Sequence, residues 1–163
     1  MSNIYKYMGR QTPAVLYCEK EFGLTPGECY GPIIRNVFII ECCVEGFGSV
    51  IINGNEFAVT PGDCYILLPG DTIIHTADSK NPRKGYWCAI DGFDLRFIFK
   101  EAGISSLSPF APKEFFNELC SCLQRMVSEW GMSSEIGMVY CGGDNEIFLG
   151  RAYQERMPYS ENQ

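Results

Sequence analysis

Apolar and polar positions alternate in short, regularly broken blocks from Arg35 to Gly70, RNVFIIECCVEGFGSVIINGNEFAVTPGDCYILLPG. Val37 to Val44 is an apolar, β-branched run, and Glu45-Gly46-Phe47-Gly48 breaks it. Val50-Ile51-Ile52 resumes the run. Asn53-Gly54 then supplies the pair that favours a type I′ hairpin, whose two central positions both need φ > 0. Glu56 to Val59 leads to a second turn at Thr60-Pro61-Gly62-Asp63, and Cys64 to Leu68 is closed by Pro69-Gly70-Asp71. Strands this short and this tightly joined exclude a parallel sheet, whose crossovers take a dozen residues or more. They predict an antiparallel sandwich or barrel.

The same pattern extends outward. Ala14 to Cys18 predicts a first strand, and Leu24 to Ile33, with Pro26-Gly27 and Gly31-Pro32, predicts a turn-rich loop. Thr72 to Ala77 and Gly85 to Ile90 predict two further strands. From Phe93 the period changes. Leu95, Ile98, Phe99 and Ala102 fall at helical spacing before Gly103. Phe115, Phe116, Leu119, Leu123, Met126, Val127 and Trp130 mark a second amphipathic helix over about Pro112 to Trp130, where proline in the first turn costs little. Met132 to Gly143 is weakly patterned, and Asn145 to Met157 predicts a short last helix.

Composition narrows the function classes. A chain of 163 residues with 46% hydrophobic residues suits one domain, or one domain with an appendage. A formal charge of −7 gives no purchase on nucleic acid by this chain alone. No apolar run is long enough to span a bilayer. The nine cysteines include no C-x-x-C pair, and Cys42-Cys43 and Cys120-Ser121-Cys122 are too close for routine bridging. Several sit inside apolar runs, where a thiol acts as a small hydrophobe. Their odd number and the lack of a signal peptide point to reduced thiols in a cytoplasm.

Candidate chemistry is sparse. A small barrel has one concave mouth as its default ligand site. A metal-dependent site needs three or four convergent His or carboxylate ligands, and the single histidine, His75, excludes a two-histidine iron centre. No cofactor is expected. Two readings of His75 stay open: a packed or surface residue, and one facing a ligand. Glu41 lies between Ile40 and Cys42 in an apolar strand, so its carboxylate must be paired, hydrated or facing a cavity. Arg35 is a candidate partner or a second polar group at the mouth. Alternation sets Gly85, Trp87 and Ala89 on one face of their strand and Tyr86, Cys88 and Ile90 on the other. Trp87, flanked by small residues, has a ring face on which a sugar could stack, with core filler as the plainer reading. No P-loop, Rossmann fingerprint or nucleophile–base pair is present.

An ordered series of motifs resembles the N-terminal cupin domain of AraC-type transcriptional regulators over about Leu24 to Gly103. The series is Glu28-Cys29-Tyr30-Gly31-Pro32, Arg35-Asn36, Val44 to Gly48, Asn53-Gly54, Pro61-Gly62-Asp63, Leu67 to Asp71, Thr76-Ala77-Asp78, Asn81-Pro82, and Trp87 with Gly92. Arg151 to Gln154 and Tyr159 to Asn162 resemble the opening of that family's DNA-binding domain. The resemblance implies a mainly β cupin, a double-stranded β-helix of jelly-roll type, followed by C-terminal α-helices. It divides the chain into an N-terminal arm (1–11), an effector-binding barrel (12–103), a helical dimerisation and linker region (104–157) and the start of an absent DNA-binding domain (158–163).

By the same resemblance, Trp87 falls on the aromatic that packs against a sugar, His75 near a position often held by tyrosine, and Arg35 where a pocket arginine is plausible. The family's Pro-Trp-x-Tyr-x-Trp run is here Pro82-Arg83-Lys84-Gly85-Tyr86-Trp87, and Glu41 and Cys42 replace a common histidine and tyrosine. The implied function is non-enzymatic: sensing of a small-molecule effector, often a saccharide, and homodimerisation. Arg35, Glu41, His75 and Trp87 are the ligand-binding candidates, and Phe116, Leu119, Leu123, Met126 and Trp130 the dimer-contact candidates. Operator DNA would be met only through the absent domain. Two alternatives stay open: a small cupin enzyme such as a sugar isomerase or epimerase, and a dimerisation module with a collapsed pocket.

Overall fold

The structure, a computed structural model, describes residues 14–21, 24–92, 95–130, 135–141 and 147–154. Ten strands run in the order β1 (Ala14–Glu21), β2 (Cys29–Ile34), β3 (Phe38–Glu45), β4 (Gly48–Ile52), β5 (Asn55–Val59), β6 (Cys64–Leu67), β7 (Thr72–Ala77), β8 (Lys84–Asp91), β9 (Glu135–Cys141) and β10 (Ile147–Gln154). Helices α1 (Leu95–Glu101) and α2 (Phe116–Glu129) follow β8, and a 3₁₀ turn at Lys113–Phe115 leads into α2. The arm at 1–11 and the segment 158–163 lie outside the described residues.

The first eight strands divide between two sheets, in the orders β6-β3-β8-β1 and β2-β7-β4-β5, and the chain changes sheet at every step except the β4–β5 hairpin. All their pairings are antiparallel. Such interleaving of two four-stranded sheets is a jelly roll, the double-stranded β-helix of cupins. The hairpin sits where the sequence sets it. Asn53 and Gly54 have φ of 50° and 86°, and Ile52 pairs with Asn55 across them.

Two segments depart from the sequence reading. The loop expected over Leu24 to Ile33 contains β2, which occupies the edge of its sheet. Proline is tolerated there because one side of an edge strand makes no ladder bonds, and the β2–β7 register shifts between Tyr30 and Ile33, around Pro32. The short last helix expected at Asn145 to Met157 is instead strand β10. It forms a hairpin with β9 and pairs in parallel with β1, extending the first sheet to six strands. Long-range pairing outweighs a weak local helical pattern here.

Pleating divides the first sheet into two environments. Phe38, Ile40, Cys88 and Ile90 point outward into a core completed by Leu95 and Phe99 of α1 and by Leu119, Leu123 and Met126 of α2. Ile39, Cys43, Leu67 and Ala89 point inward and meet Val50, Ile52 and Ile73 of the second sheet. The stripe on α2 therefore lies against the chain's own barrel. Leu119, Leu123 and Met126, expected at a dimer contact, are buried within this core, while Phe116 and Trp130 are partly buried against it.

The cysteines also depart from expectation. Cys42 and Cys64 form a disulfide between residues placed directly opposite in the β3–β6 ladder, with Cα atoms 4.2 Å apart. The hairpin register brings together thiols that are 22 positions apart, a proximity that local spacing does not reveal. Cys18 and Cys88 remain buried thiols in the outer core, and burial pushes Cys18 up to about 12, as suits a small hydrophobe.

Two outcomes follow from this packing. Replacing Leu123 with alanine is expected to lower unfolding free energy by about 2–5 kcal/mol in chemical denaturation, since it opens a cavity beneath α2. Gly85 stands where β8 presses on β3, and a Cβ there would lie 1.7 Å from the Cys42 carbonyl oxygen. Gly85→Ala is therefore expected to cost at least the ~1–3 kcal/mol of an overpacked core, read as a lower melting temperature. An unchanged melting temperature for either variant would refute this packing.

Candidate functional site

Between the sheets lies a cavity of about 370 Å³ whose walls include Ile33, Val37, Ile39, Leu67, Leu68 and Ile73. Its polar and aromatic lining brings together the four residues singled out from sequence. Arg35 comes from the turn after β2, Glu41 from β3, His75 from β7 and Trp87 from β8. Glu41 and Trp87 are direct cross-strand partners and so share the inner face of the first sheet. Tyr30 and His75 are partners on the second sheet, their rings 6.4 Å apart and nearly parallel. Trp87 also rests against Tyr17, at 5.3 Å between ring centroids.

Glu41 does not enter the barrel bare. Its Oε2 accepts a hydrogen bond from the Tyr65 hydroxyl and lies 3.4 Å from Nη1 of Arg83. Arg83 Nη1 also donates to the Tyr65 oxygen, and Arg83 Nη2 meets Nδ1 of His75. His75 Nε2 in turn lies 3.8 Å from Glu41 Oε1. Arg83 itself is only 4% exposed. Carboxylate, phenol, guanidinium and imidazole thus form one buried polar layer that joins the two sheets behind the cavity.

Burial alone would favour neutral Glu41. Positive charge outweighs it, from His75 whenever the ring is protonated and from Arg83 at every pH, and together with the Tyr65 hydrogen bond holds the carboxyl below its ordinary value. For His75 burial is the largest influence and lowers its pKa; Arg83 and Arg35 push the same way, against the pull of Glu41. A carboxylate beside a neutral imidazole results.

Tyr65 and Arg83 are the residues that sequence reasoning missed. Arg83 stood out only as the loss of an aromatic, when it is the cation that balances Glu41. A buried carboxylate on β3 was the available clue, because it required a cation, and one that hydrogen-bonds it, Arg83, lies 42 positions later in the chain. Asp71, at the rim, is occupied structurally. It accepts from Asn53 Nδ2, the Leu68 amide and Ser106 Oγ. Among the described residues no three His, Cys, Asp or Glu side chains converge as metal ligands.

A jelly roll with a lined cavity between its sheets has the architecture of a cupin barrel. The chain belongs to the AraC-like ligand-binding domain family, whose model matches residues 24–136. Among solved structures it is similar to a cupin 2 domain-containing protein from Halorhodospira halophila, at 22% identity over 53% of this chain and 57% of that one, with a TM-score of 0.42. It is also similar to a salicylate 1,2-dioxygenase from Pseudaminobacter salicylatoxidans, at 15% identity over 83% of this chain and 49% of that one, TM-score 0.48. A stretch of 36 residues, 22% of the chain, is 50% identical to part of the ATP-dependent zinc metalloprotease FtsH of Lactococcus lactis and spans 5% of that protein. The fold of this chain rests on its own strand order and register.

The polar layer makes stability depend on pH. The unfolded chain takes up a proton at His75 near 6.5 that the folded chain resists, so the unfolded state binds more protons and stability falls as pH drops below that value. Glu41, whose folded value is also depressed, adds a second loss as pH falls below 4.5. His75→Gln is expected to remove the first loss and keep the second in denaturation curves that start at pH 8 and extend well below pH 4.5. An identical pH dependence in wild type and variant would show that His75 is not buried neutral.

Proposed function

We propose that this chain is the effector-sensing domain of an AraC-type bacterial transcription regulator, that its effector is a small saccharide held in the cavity, and that it senses without catalysing a reaction. The observation that carries this reading is the lining of the cavity. One wall offers the Trp87 ring, the opposite one the stacked Tyr30 and His75, and Glu41 and Arg35 supply an acceptor and a donor. Aromatic faces with a few placed polar groups suit a hydroxylated ring. A volume of about 370 Å³ lies toward the small end of ligand pockets, which run from roughly 300 to 1,000 Å³, and favours one or two sugar units over a polymer.

Sensing rather than catalysis is supported by the state of Glu41 and His75. A proton-transferring pair needs both groups available to substrate. Here both face the cavity, but neither is tuned to exchange a proton near neutral pH: Glu41 is held as a carboxylate below its ordinary value and burial keeps His75 neutral. No described helix is long and apolar enough to cross a membrane. Action in the cytoplasm as a homodimer is part of the same proposal. Phe116 and Trp130, partly buried members of the α2 stripe along with Phe115 and Val127, are its available contacts.

A thermal-shift screen against mono- and disaccharides tests this reading, because a ligand that binds only the folded state raises its melting temperature. A saccharide that does so should lose affinity several-fold in Trp87→Phe, with little change in the melting temperature of the free protein. The converse, a lowered melting temperature with intact affinity, would make Trp87 a packing residue and remove it from the site.

A further inference from the structure

We propose that Arg83, which is absent from the cavity wall, is the positioning residue of the site: it fixes His75 as the tautomer protonated at Nε2 and keeps Glu41 an ionised acceptor beside it. The inference deepens the ligand-binding reading above and rests on it only for its consequence for affinity. Its starting point is geometry. A guanidinium has five N–H donors and no acceptor. Arg83 Nη2 meets His75 Nδ1, so Nδ1 must be the acceptor and the ring proton must sit on Nε2. The imidazolium form, with protons on both nitrogens, is incompatible with that contact.

The other arm of the same guanidinium acts on Glu41. Nη1 faces Oε2 and the Tyr65 oxygen, while the Tyr65 hydroxyl donates to Oε2. That leaves Oε1 on the side of His75 Nε2, 3.8 Å away. One buried cation therefore sets two lining groups at once, a donor at Nε2 and an acceptor at Oε1, at a spacing that a single group of the ligand could bridge by accepting from one and donating to the other. With Nδ1 protonated instead, His75 would present an acceptor beside an acceptor, and the cavity would read a different pattern. The groups that face the imidazole are Glu41 on β3, Tyr30 on β2, Arg35 in the following turn and Arg83 at the approach to β8. Of these, Arg83 makes a hydrogen-bonding contact to Nδ1.

The chain has a single histidine, which makes the test direct. Long-range proton–nitrogen correlation spectra of protein labelled with ¹⁵N at histidine read the tautomer and charge of His75 without any ligand. Wild type at pH 7 is expected to show a pyridine-like Nδ1 and a pyrrole-like Nε2, persisting below the pH at which a free histidine titrates. A protonated Nδ1 or an imidazolium at pH 7 would overturn the proposal. Arg83→Met, which retains an unbranched side chain and removes the donors, is expected to populate the Nδ1–H tautomer and to raise the titration midpoint, because the neighbouring cation that opposes protonation is gone. A folded variant with unchanged tautomer and midpoint would also overturn it. If the variant does not fold, the wild-type spectrum decides alone. Where the sugar screen yields a ligand, Arg83→Met should weaken it about tenfold or more, in line with loss of a charge-supported hydrogen bond. A screen without hits removes the saccharide reading and leaves the tautomer result standing.

Discussion

The buried ion pair between Glu41 and Arg83 constrains everything else inside the barrel. A carboxylate taken out of water costs several kcal/mol unless a matched charge and further hydrogen bonds accompany it. The interior meets this demand with residues from four places: β3, β6, β7 and the approach to β8. Those elements must therefore be in register before the pair is satisfied. The result is an interior of two halves. One half is a dry cluster of Val50, Ile52, Val59 and their neighbours, and the other is a polar layer opening on the cavity. A core built from apolar residues alone could be more stable, but it would have no means of telling one small polar molecule from another.

The sheet that carries Glu41 is covered on both faces. Its outer side holds α1 and α2, and its inner side holds the cavity and the second sheet. This explains why β3 reads as an almost unbroken apolar run rather than as an alternation with polar residues. Ile40 and Cys42 face helices, Ile39 and Cys43 face the interior, and Glu41 is the exception that marks the site. The β4–β5 hairpin and β7, facing water on one side, keep the mixed pattern expected of half-exposed strands.

Features written locally were legible in the sequence. The Asn53-Gly54 turn, the limits of β3 to β8 and the two helices after the barrel follow from period and turn chemistry. Alternation on β8 placed Trp87 with Gly85 and Ala89, and the structure has Trp87 on the cavity wall with Ala89 inside and Cys88 outside. What was illegible depends on partners distant in the chain. Strand β10 exists through β9 and β1, β2 through β7, and the Cys42–Cys64 bond through the register of β3 on β6. Arg83 belongs with these. Its role is set by a carboxylate 42 positions earlier, and nothing in its own neighbourhood shows which way the side chain turns.

The alternation on β8 has a mechanical corollary. Trp87 touches the cavity and Cys88, the next residue, touches the outer core that α2 helps to close. On β3 the same holds for Glu41 and Cys42. The wall between ligand space and helix is thus a single layer of backbone, a diaphragm with no filling to absorb strain. A strand of that partition cannot shift on its cavity side and stay still on its helix side, so any displacement of β3 or β8 would be shared by both faces.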